Sequence, residues 1–184
     1  MLSLKTRDRL VSTLLYLLLS AAWIIATPGW CQPKAPGTAA VIRVVDGDTL
    51  EVQWERKREH LRLIGVNTPE SKKNRLAGSQ AERSGRDVAT IINLGKRAAI
   101  KTSELAPQGT SLRLEFDADR RDRYGRLLAY AYLPNGAMLN NELVRLGYAQ
   151  TMTVPPNVRY AKRFAETMRE ARQAKRGFWG QDGF

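Results

Sequence analysis

Residues 61–70 constrain the fold of this chain more than any other stretch. Aliphatic and β-branched side chains dominate as far as residue 66, which favours a β-strand. Pro69 then ends the strand, because proline cannot donate to a ladder of backbone hydrogen bonds. A strand that ends in this way brings Arg62, Asn67 and Glu70 to one rim of a sheet. The predicted rim therefore holds a guanidinium, an amide oxygen and a carboxylate close together.

Four other segments have the composition or the alternation of β-strands. Asp46 and Gly47 form a hairpin signal after the first strand, and the charged residues 55–59 are predicted to form the turn after the second. The five predicted strands cover residues 40–45, 50–54, 61–66, 112–116 and 127–133.

Three segments have the apolar periodicity of helices. A polar loop at residues 71–78 precedes the first helix, and Pro107 stops it. Gly85 and Gly95 lie inside this helix and leave its continuity open. The predicted helices cover residues 81–104, 140–146 and 160–171. Strands and helices together predict an α+β fold, a five-stranded OB-fold-like Greek-key β-barrel with about three packed α-helices.

A hydrophobic leader is predicted at the N-terminus. Lys5, Arg7 and Arg9 precede an apolar run at residues 10–26, which is typical of a signal peptide and is just long enough for a membrane span. We expect a secreted or periplasmic protein if the leader is cleaved, and membrane association through residues 10–26 if it is retained. Cys31 is the only cysteine, which excludes an intrachain disulfide. The predicted organisation is a signal peptide or membrane anchor at residues 1–31, a linker at residues 32–39 and a folded domain at residues 40–180.

Basic residues exceed acidic ones in this chain. Thirty Lys and Arg against eighteen Asp and Glu give a formal net charge of +12, and such an excess favours a polyanionic partner. Nucleic acid is the first candidate and an anionic membrane surface the second, while a soluble basic protein with neither partner stays open. The sole histidine, His60, is expected on the surface, and these counts exclude a zinc site built from His and Cys. We expect a monomer.

Two short motifs accompany the stretch at residues 61–70. One is DGDT at residues 46–49 and the other is DRYGR at residues 122–126. In this order and approximate spacing, the three motifs resemble the staphylococcal nuclease (thermonuclease) family, and the resemblance covers roughly residues 40–179. It implies the same barrel fold and a calcium-dependent nuclease that acts on DNA and RNA.

The chemistry of phosphodiester hydrolysis gives these residues distinct tasks. Hydrolysis needs positive charge on the nonbridging oxygens, an oriented water and help for the leaving oxygen. Arg62 and Arg126 would flank the phosphate with bidentate hydrogen bonds, and Glu70 would position or deprotonate the attacking water. Asp48 and Asn67 offer hard oxygen ligands suited to a single Ca²⁺ ion. The matching positions do this work in the family.

The resemblance also implies further members of the site. The backbone carbonyl of Thr68 would join the two metal ligands, and Asp46 could contribute through a water molecule. Tyr124 is a candidate for stacking on a nucleic-acid base. Independently of the resemblance, Lys72 and Lys73 belong to a basic loop that could guide the substrate.

This sequence departs from the family in two places. Asn67 stands where the best-known member has an aspartate, and the lost negative charge should weaken Ca²⁺ binding. At residues 151–157, where that member places tyrosines near the base, this chain has Thr153 and Val154. The base pocket and the sugar preference therefore stay open.

Other interpretations of the same residues stay open as well. Asp46 and Asp48 could form only a turn, Glu70 could be a helix N-cap or a surface charge, and Arg126 could be a solvated residue of the barrel. The basic loop could be an ordinary solvated surface. An alternative function is a noncatalytic OB-fold module that only binds nucleic acid, and a third is a membrane-associated adaptor whose barrel binds protein.

Overall fold

The computed structural model of the protein describes residues 37–180. This part of the chain contains a barrel, a small two-stranded sheet and a set of packed helices. In chain order its elements are β1 (Thr38–Asp46), β2 (Thr49–Trp54), β3 (Lys57–Leu63), β4 (Val66–Asn67), α1 (Arg75–Ser84), α2 (Val88–Leu105), β5 (Ser111–Glu115), β6 (Leu127–Tyr132), α3 (Leu139–Arg145), β7 (Gln150–Thr151), α4 (Ala161–Gln173) and a 3-10 helix at Gly177–Trp179.

Five strands close into a barrel in the order β1-β2-β3-β6-β5, and β5 returns to pair with β1. Neighbouring strands are antiparallel except β3 and β6, which run parallel. The predicted α+β fold with a five-stranded OB-fold-like barrel is therefore confirmed. The strands β4 and β7 form a separate ladder in which Asn67 lies opposite Gln150.

The barrel interior is filled by side chains from alternating strand positions. In β5, for example, Leu112 and Leu114 are buried, whereas Ser111 and Arg113 are exposed. Helix α4 adds Phe164, which is 1% exposed and belongs to the same core. Burial of one such side chain stabilises the fold by about 2–3 kcal/mol, so α4 is anchored to the barrel through its apolar face.

The strand predicted to end at residue 66 is interrupted in the structure. Only Glu55 and Arg56 form the preceding turn, with φ angles of 46° and 64°, so β3 begins at Lys57 inside the predicted turn. Gly65 has a φ of 79°, and a Cβ there would lie 2.5 Å from the ring of Phe164. The chain therefore turns at Gly65, and β4 follows as a separate strand. The sequence showed strand propensity on both sides of this turn and gave no sign of the ring that packs against it.

The helix predicted at residues 81–104 is in fact two helices, α1 and α2. The prediction of a polar loop at residues 71–78 is wrong from Arg75 onward, because α1 begins there. Asn74 caps this helix, and its side chain accepts a backbone hydrogen bond from Ala77 at 2.8 Å. Gly85, with a φ of 66°, ends α1, and the side chain of Asp87 caps α2. Only two alanines of α1 are buried, so the apolar periodicity that marks a helix in a sequence is almost absent. The described residues thus hold four α-helices instead of about three.

The predicted leader at residues 1–31 lies outside the described residues. The division into leader, linker and domain therefore stays a prediction, as does membrane association through residues 10–26. Among the helices of residues 37–180, none is both long and apolar enough to cross a membrane.

Candidate active site

The candidate site begins at the turn between β1 and β2, where Asp48 faces β3. The register pairs Thr49 with Arg62, and the backbone N–H of Leu63 donates to the carbonyl of Asp48 at 3.0 Å. The carboxylate and the guanidinium are therefore neighbours because the barrel fixes the alignment of two adjacent strands.

Arg62 is buried and forms the centre of the site. Its Nη1 atom lies 3.0 Å from Oδ2 of Asp48, and the two side chains are 10% and 9% exposed. Nη1 also donates to the carbonyl oxygens of Val66 at 2.9 Å and Leu63 at 3.2 Å. Nη2 donates to Oδ1 of Asn67 at 3.3 Å. One guanidinium thus aligns the end of β3, the turn that follows it and β4.

The predicted metal ligands Asp48, Asn67 and Thr68 lie together around this guanidinium. Oδ2 of Asp48 accepts a hydrogen bond from the backbone N–H of Thr68 at 2.9 Å, and Oδ1 accepts one from the hydroxyl of Thr49 at 3.0 Å. The carbonyl oxygen of Thr68 accepts a hydrogen bond from Nε2 of Gln80 at 3.3 Å. The structure therefore brings the three residues together and joins two of them through Arg62.

The turn that carries Asp48 is packed tightly against α2. A Cβ on Gly47 would lie 2.7 Å from Cβ of Ala98 and 2.8 Å from Oγ1 of Thr68. The hydroxyl of Thr102 donates to the carbonyl oxygen of Gly47 at 2.6 Å. Only glycine fits between the helix and the strand that leads to Glu70, so Gly47 is needed for this packing.

Glu70 is held by α1 and α2. Its backbone N–H donates to Oε1 of Gln80 at 2.9 Å, and its carboxylate accepts a hydrogen bond from Nδ2 of Asn74 at 2.8 Å. In α2, a Cβ on Gly95 would lie 2.3 Å from the carbonyl carbon and oxygen of Glu70. The absence of a side chain at Gly95 therefore lets the backbone of Glu70 lie directly against the helix.

Three carboxylates contribute to the electrostatics of this rim. Burial raises the pKa of Asp46 above its ordinary value, the hydrogen bond from the N–H of Gly47 opposes this shift, and the charges of Asp48 and Glu70 raise the pKa further. Negative charges this close together repel one another, so a bound cation would stabilise them.

Arg126 reaches the site from a different loop. Its Nε atom donates to Oδ2 of Asp122 at 2.7 Å, while Oδ1 of Asp122 accepts the backbone N–H groups of Tyr124 at 2.9 Å and Arg126 at 3.0 Å. Burial raises the pKa of Asp122, but the hydrogen bonds from Arg126 and Tyr124 outweigh it and leave the pKa below its ordinary value. Arg121 forms a two-bond ion pair with Glu59 of β3, which ties the loop to the barrel.

Arg62 and Arg126 line the same cleft, which we call the central cleft. It has a volume of about 510 Å³ and lies between the loop at residues 119–126 and the segment at residues 152–157. Tyr124 is 69% exposed at this cleft, beside Arg126. Both arginines and the stacking candidate thus face one concave surface.

The wall of the central cleft formed by residues 152–157, where this sequence departs from the family, is apolar. Met152 and Val154 line it and are 39% and 55% exposed. Asn157 holds this wall in place, since its amide exchanges two hydrogen bonds with the backbone of Asp119, at 2.8 Å and 2.9 Å. Thr153 is exposed and is not among the residues that line the cleft.

The remaining predicted site residues lie outside the central cleft. Glu70 sits on the Asp46 side of the rim and is not a lining residue of the cleft. Lys72 and Lys73 are exposed in the segment that follows Glu70. His60 is exposed in β3, as predicted.

The donors at the rim are all hard oxygen atoms. Within residues 37–180, no three His, Cys, Asp or Glu side chains are grouped as a metal cluster. The candidate set instead combines the carboxylate of Asp48 with the neutral oxygens of Asn67 and Thr68, and the half-buried carboxylate of Asp46 lies nearby. Carboxylate, amide and carbonyl oxygens are the ligands of Ca²⁺ and Mg²⁺, so the donor types fit a hard divalent cation.

Sequence reasoning missed the residues that hold the predicted ones in place. Gln80 links the backbones of Thr68 and Glu70, and no motif around it indicates this role. Gly95 was noted only as a possible break in a helix. Asp122 was visible as a part of the DRYGR motif, and its spacing of four residues from Arg126 could have indicated the ion pair.

Comparisons with known proteins identify the family. The model of the family described as "Staphylococcal nuclease homologue" matches residues 60–181. The chain is 36% identical over 143 residues to Thermonuclease of Staphylococcus hyicus, covering 77% of this chain and 75% of that protein. It is 34% identical over 160 residues to Endonuclease YncB of Bacillus subtilis (strain 168), covering 86% and 69% of the two chains. Thermonuclease of Staphylococcus intermedius is 32% identical over 139 residues, covering 76% and 74%.

The family match begins within β3 and continues through β5, β6 and all the helices to the 3-10 helix. It includes Arg62, Glu70 and Arg126. Asp48 lies before the matched residues, and its ion pair with Arg62 places it in the site. On the fold, the family match and the identity to these relatives, the chain belongs to the staphylococcal nuclease family.

Proposed function

We propose that this protein is a calcium-dependent nuclease that hydrolyses phosphodiester bonds of DNA and RNA. One observation carries the proposal: Arg62 and Arg126, from separate parts of the chain, line the same cleft. Two planar guanidinium groups that line one cleft can both hydrogen-bond to the nonbridging oxygens of one phosphate. The names of the relatives, thermonuclease and endonuclease, support the same activity.

In the proposed mechanism, the two arginines bind the phosphate most strongly when charge accumulates on it. Arg126 is fixed by Asp122, and Arg62 by Asp48 and backbone carbonyls, so neither needs to be ordered when the substrate binds. Among the described residues, Nη2 of Arg62 has one hydrogen bond, to Asn67, which leaves a second N–H for phosphate. Preorganised donors of this kind lower the barrier because they require no reorganisation during the reaction.

Glu70 would act as the general base. Its carboxylate would accept a proton from a water that attacks the phosphorus, and the bond from phosphorus to the leaving oxygen would then break. Asn74 donates a hydrogen bond to this carboxylate at 2.8 Å and would orient it. The carboxylate also lies within electrostatic range of Asp46, on the side of the rim with the candidate metal ligands.

Asp48, Asn67 and the carbonyl of Thr68 would hold one Ca²⁺ ion, with Asp46 bound through a water. When bound, the ion would neutralise negative charge on the phosphate oxygens. Asn67 contributes no charge, so we expect weaker binding of Ca²⁺ than an aspartate would give at this position. The negative charges of Asp46, Asp48 and Glu70 favour a cation at this rim.

The test is hydrolysis of single-stranded DNA and of RNA by the purified chain, with Ca²⁺ and with a chelator in excess. We expect cleavage with Ca²⁺, loss of cleavage with the chelator and recovery when Ca²⁺ is restored. A folded protein that cleaves neither polymer with Ca²⁺ would contradict the proposal. Binding without hydrolysis, unaffected by Glu70→Gln, would instead show the noncatalytic OB-fold module.

A further inference from the structure

A second concave surface adjoins the candidate metal ligands. We call it the helical groove, a space of about 680 Å³ between α1, the start of α2, β7 and the end of α4. Asn67 and Thr68 line it. Asn67 also accepts a hydrogen bond from Arg62, which lines the central cleft. The helical groove and the central cleft therefore adjoin the same candidate site.

Positive charge dominates the helical groove. Arg83 from α1, Arg86 from the connection between α1 and α2, and Arg172 from α4 all line it, together with the neutral side chains of Gln80 and Gln150. None of the residues that line it is Asp or Glu. Arg83 and Arg172 converge from distant parts of the sequence, and no Asp or Glu lines the groove, so its local potential attracts anions.

Two of these arginines are well placed to bind a ligand. Arg83 and Arg172 are exposed, and neither forms an ion pair with another described residue. The guanidinium of Arg172 lies 4.2 Å from the ring centroid of Trp179. Stacking uses the face of a guanidinium and leaves the N–H groups at its edge for a planar, bidentate acceptor such as a phosphate.

The position and the lining of the helical groove indicate which anion it binds. A phosphodiester chain carries one negative charge per nucleotide, and a chain cut internally must continue on both sides of the phosphate that is cleaved. The central cleft, with Tyr124 and its apolar wall, suits a nucleotide on one side. The helical groove offers guanidinium and amide groups beyond the metal ligands, which suit the charged backbone of the other side.

We propose that the helical groove binds the segment of single-stranded nucleic acid that continues past the cleaved phosphate, away from the central cleft. Arg83 and Arg172 would contact backbone phosphates of this segment. This inference rests on the proposed nuclease function and adds an extended substrate subsite to it. Contacts to phosphates provide affinity without sequence preference, so the subsite would serve many sequences.

The test compares two double variants of the full chain that remove the same charge. The first is Arg83→Gln with Arg172→Gln. The control is Arg56→Gln with Arg163→Gln, since both residues are exposed and line neither the groove nor the central cleft. Hydrolysis is measured with Ca²⁺ on a single strand of about sixteen nucleotides, which spans the groove, and on a dinucleotide, which does not.

We expect the first variant to lower kcat/KM for the long strand about tenfold more than for the dinucleotide. The control variant should lower both by a similar, smaller factor. The slope of log(kcat/KM) against log[salt] on the long strand should become shallower by about 1.4, since each lost contact to a single strand removes about 0.7. Equal effects of the two double variants on the long strand would overturn the proposal, because the groove would then act only through net charge.

A binding measurement separates this inference from the proposed activity. Fluorescence anisotropy of a labelled strand of about sixteen nucleotides, recorded with a chelator, should show a Kd about tenfold higher for the first variant than for the control. This result is expected even if the parent protein hydrolyses nothing, which would contradict the proposed function alone. If the first variant has a lowered melting temperature, Arg83→Gln with Arg172→Lys replaces it, because lysine keeps the charge and loses the bidentate edge. Unchanged Kd values in the folded variants would overturn the inference.

Discussion

The guanidinium of Arg62 lies 3.0 Å from the carboxylate of Asp48, and the two side chains are only 10% and 9% exposed. A buried ion pair contributes little net stability, because desolvation of both charges offsets their attraction. This pair instead fixes the position of the guanidinium, which also donates hydrogen bonds to the carbonyl of Val66 and the amide oxygen of Asn67. The pair therefore orients a proposed phosphate-binding arginine and two proposed metal ligands at once.

The two arginines should respond differently to replacement by lysine. Both Arg62→Lys and Arg126→Lys keep the charge and lose the planar fork, so we expect kcat to fall at least about a hundredfold in each. Only Arg62→Lys should also lower the free energy of unfolding, by about 2 kcal/mol, because it leaves buried carbonyl and carboxylate groups unsatisfied. Arg126 is 33% exposed and should show little loss of stability. Steady-state kinetics and urea unfolding of both variants measure the two effects. Values of kcat within a few-fold of the parent would show that the arginines do not clamp the phosphate.

Gly95→Ala tests how α2 positions Glu70. The new Cβ would lie 2.3 Å from the carbonyl of Glu70, so the backbone that carries the proposed base must shift. We expect kcat to fall at least about tenfold, because small displacements of a catalytic group are costly. The free energy of unfolding should fall by about 1–3 kcal/mol, the usual cost of overpacking.

Gly78→Ala is the matched control, since it is the same substitution within a helix. Gly78 lies in α1, and a Cβ added there would meet no atom within 4 Å. We expect this variant to be more stable than the parent by about 0.5–1 kcal/mol, with unchanged kcat. If both glycine variants retained full activity, the contact between Gly95 and Glu70 would not matter for catalysis.

Asp122→Asn should weaken the fold in a pH-dependent way. Hydrogen bonds from Arg126 and Tyr124 outweigh burial and hold the pKa of Asp122 below its ordinary value of 3.8. A lowered pKa in the folded state means that the carboxylate stabilises the fold above the ordinary pKa and loses this effect as the pH falls through the lowered value. We expect Asp122→Asn to cost about 1 kcal/mol at pH 7, and the difference from the parent to shrink below pH 3.8.

Urea unfolding of the parent and of Asp122→Asn at a series of pH values measures this difference. Glu166→Gln is the control, because Glu166 is exposed on α4 and has no ion pair among the described residues. Its effect on stability should be small at every pH. A difference between Asp122→Asn and the parent that persisted undiminished in acid would show that the carboxylate charge is not what stabilises the loop.

The barrel and the members of the rim could be predicted from the sequence, because strand alternation and turn residues are local signals. Leu112 and Leu114 alternate with polar neighbours, and Asp46 and Gly47 mark a hairpin. The motifs named Asp48 and Arg62 as members of one site, and the register of β2 and β3 brings them together in the structure. These features depend on short-range patterns that a sequence shows directly.

The parts that could not be predicted depend on contacts between distant residues. The turn at Gly65 reflects the ring of Phe164, which lies about a hundred residues later in the chain. Helix α1 has a polar sequence with two buried alanines, and its start depends on the cap at Asn74. Gln80 reaches two backbone groups of the site only because α1 forms there. Tertiary context of this kind leaves little trace in local composition.

The central claim is that Glu70 activates the water that attacks a phosphate held by Arg62 and Arg126. The most direct measurement is the single-turnover rate of cleavage of single-stranded DNA by the parent and by Glu70→Gln, at saturating Ca²⁺ and saturating protein. Our account predicts a rate at least about a hundredfold lower for Glu70→Gln, the scale of losing a general base, with an unchanged Kd for the DNA. A rate within a few-fold of the parent in the folded variant would contradict it.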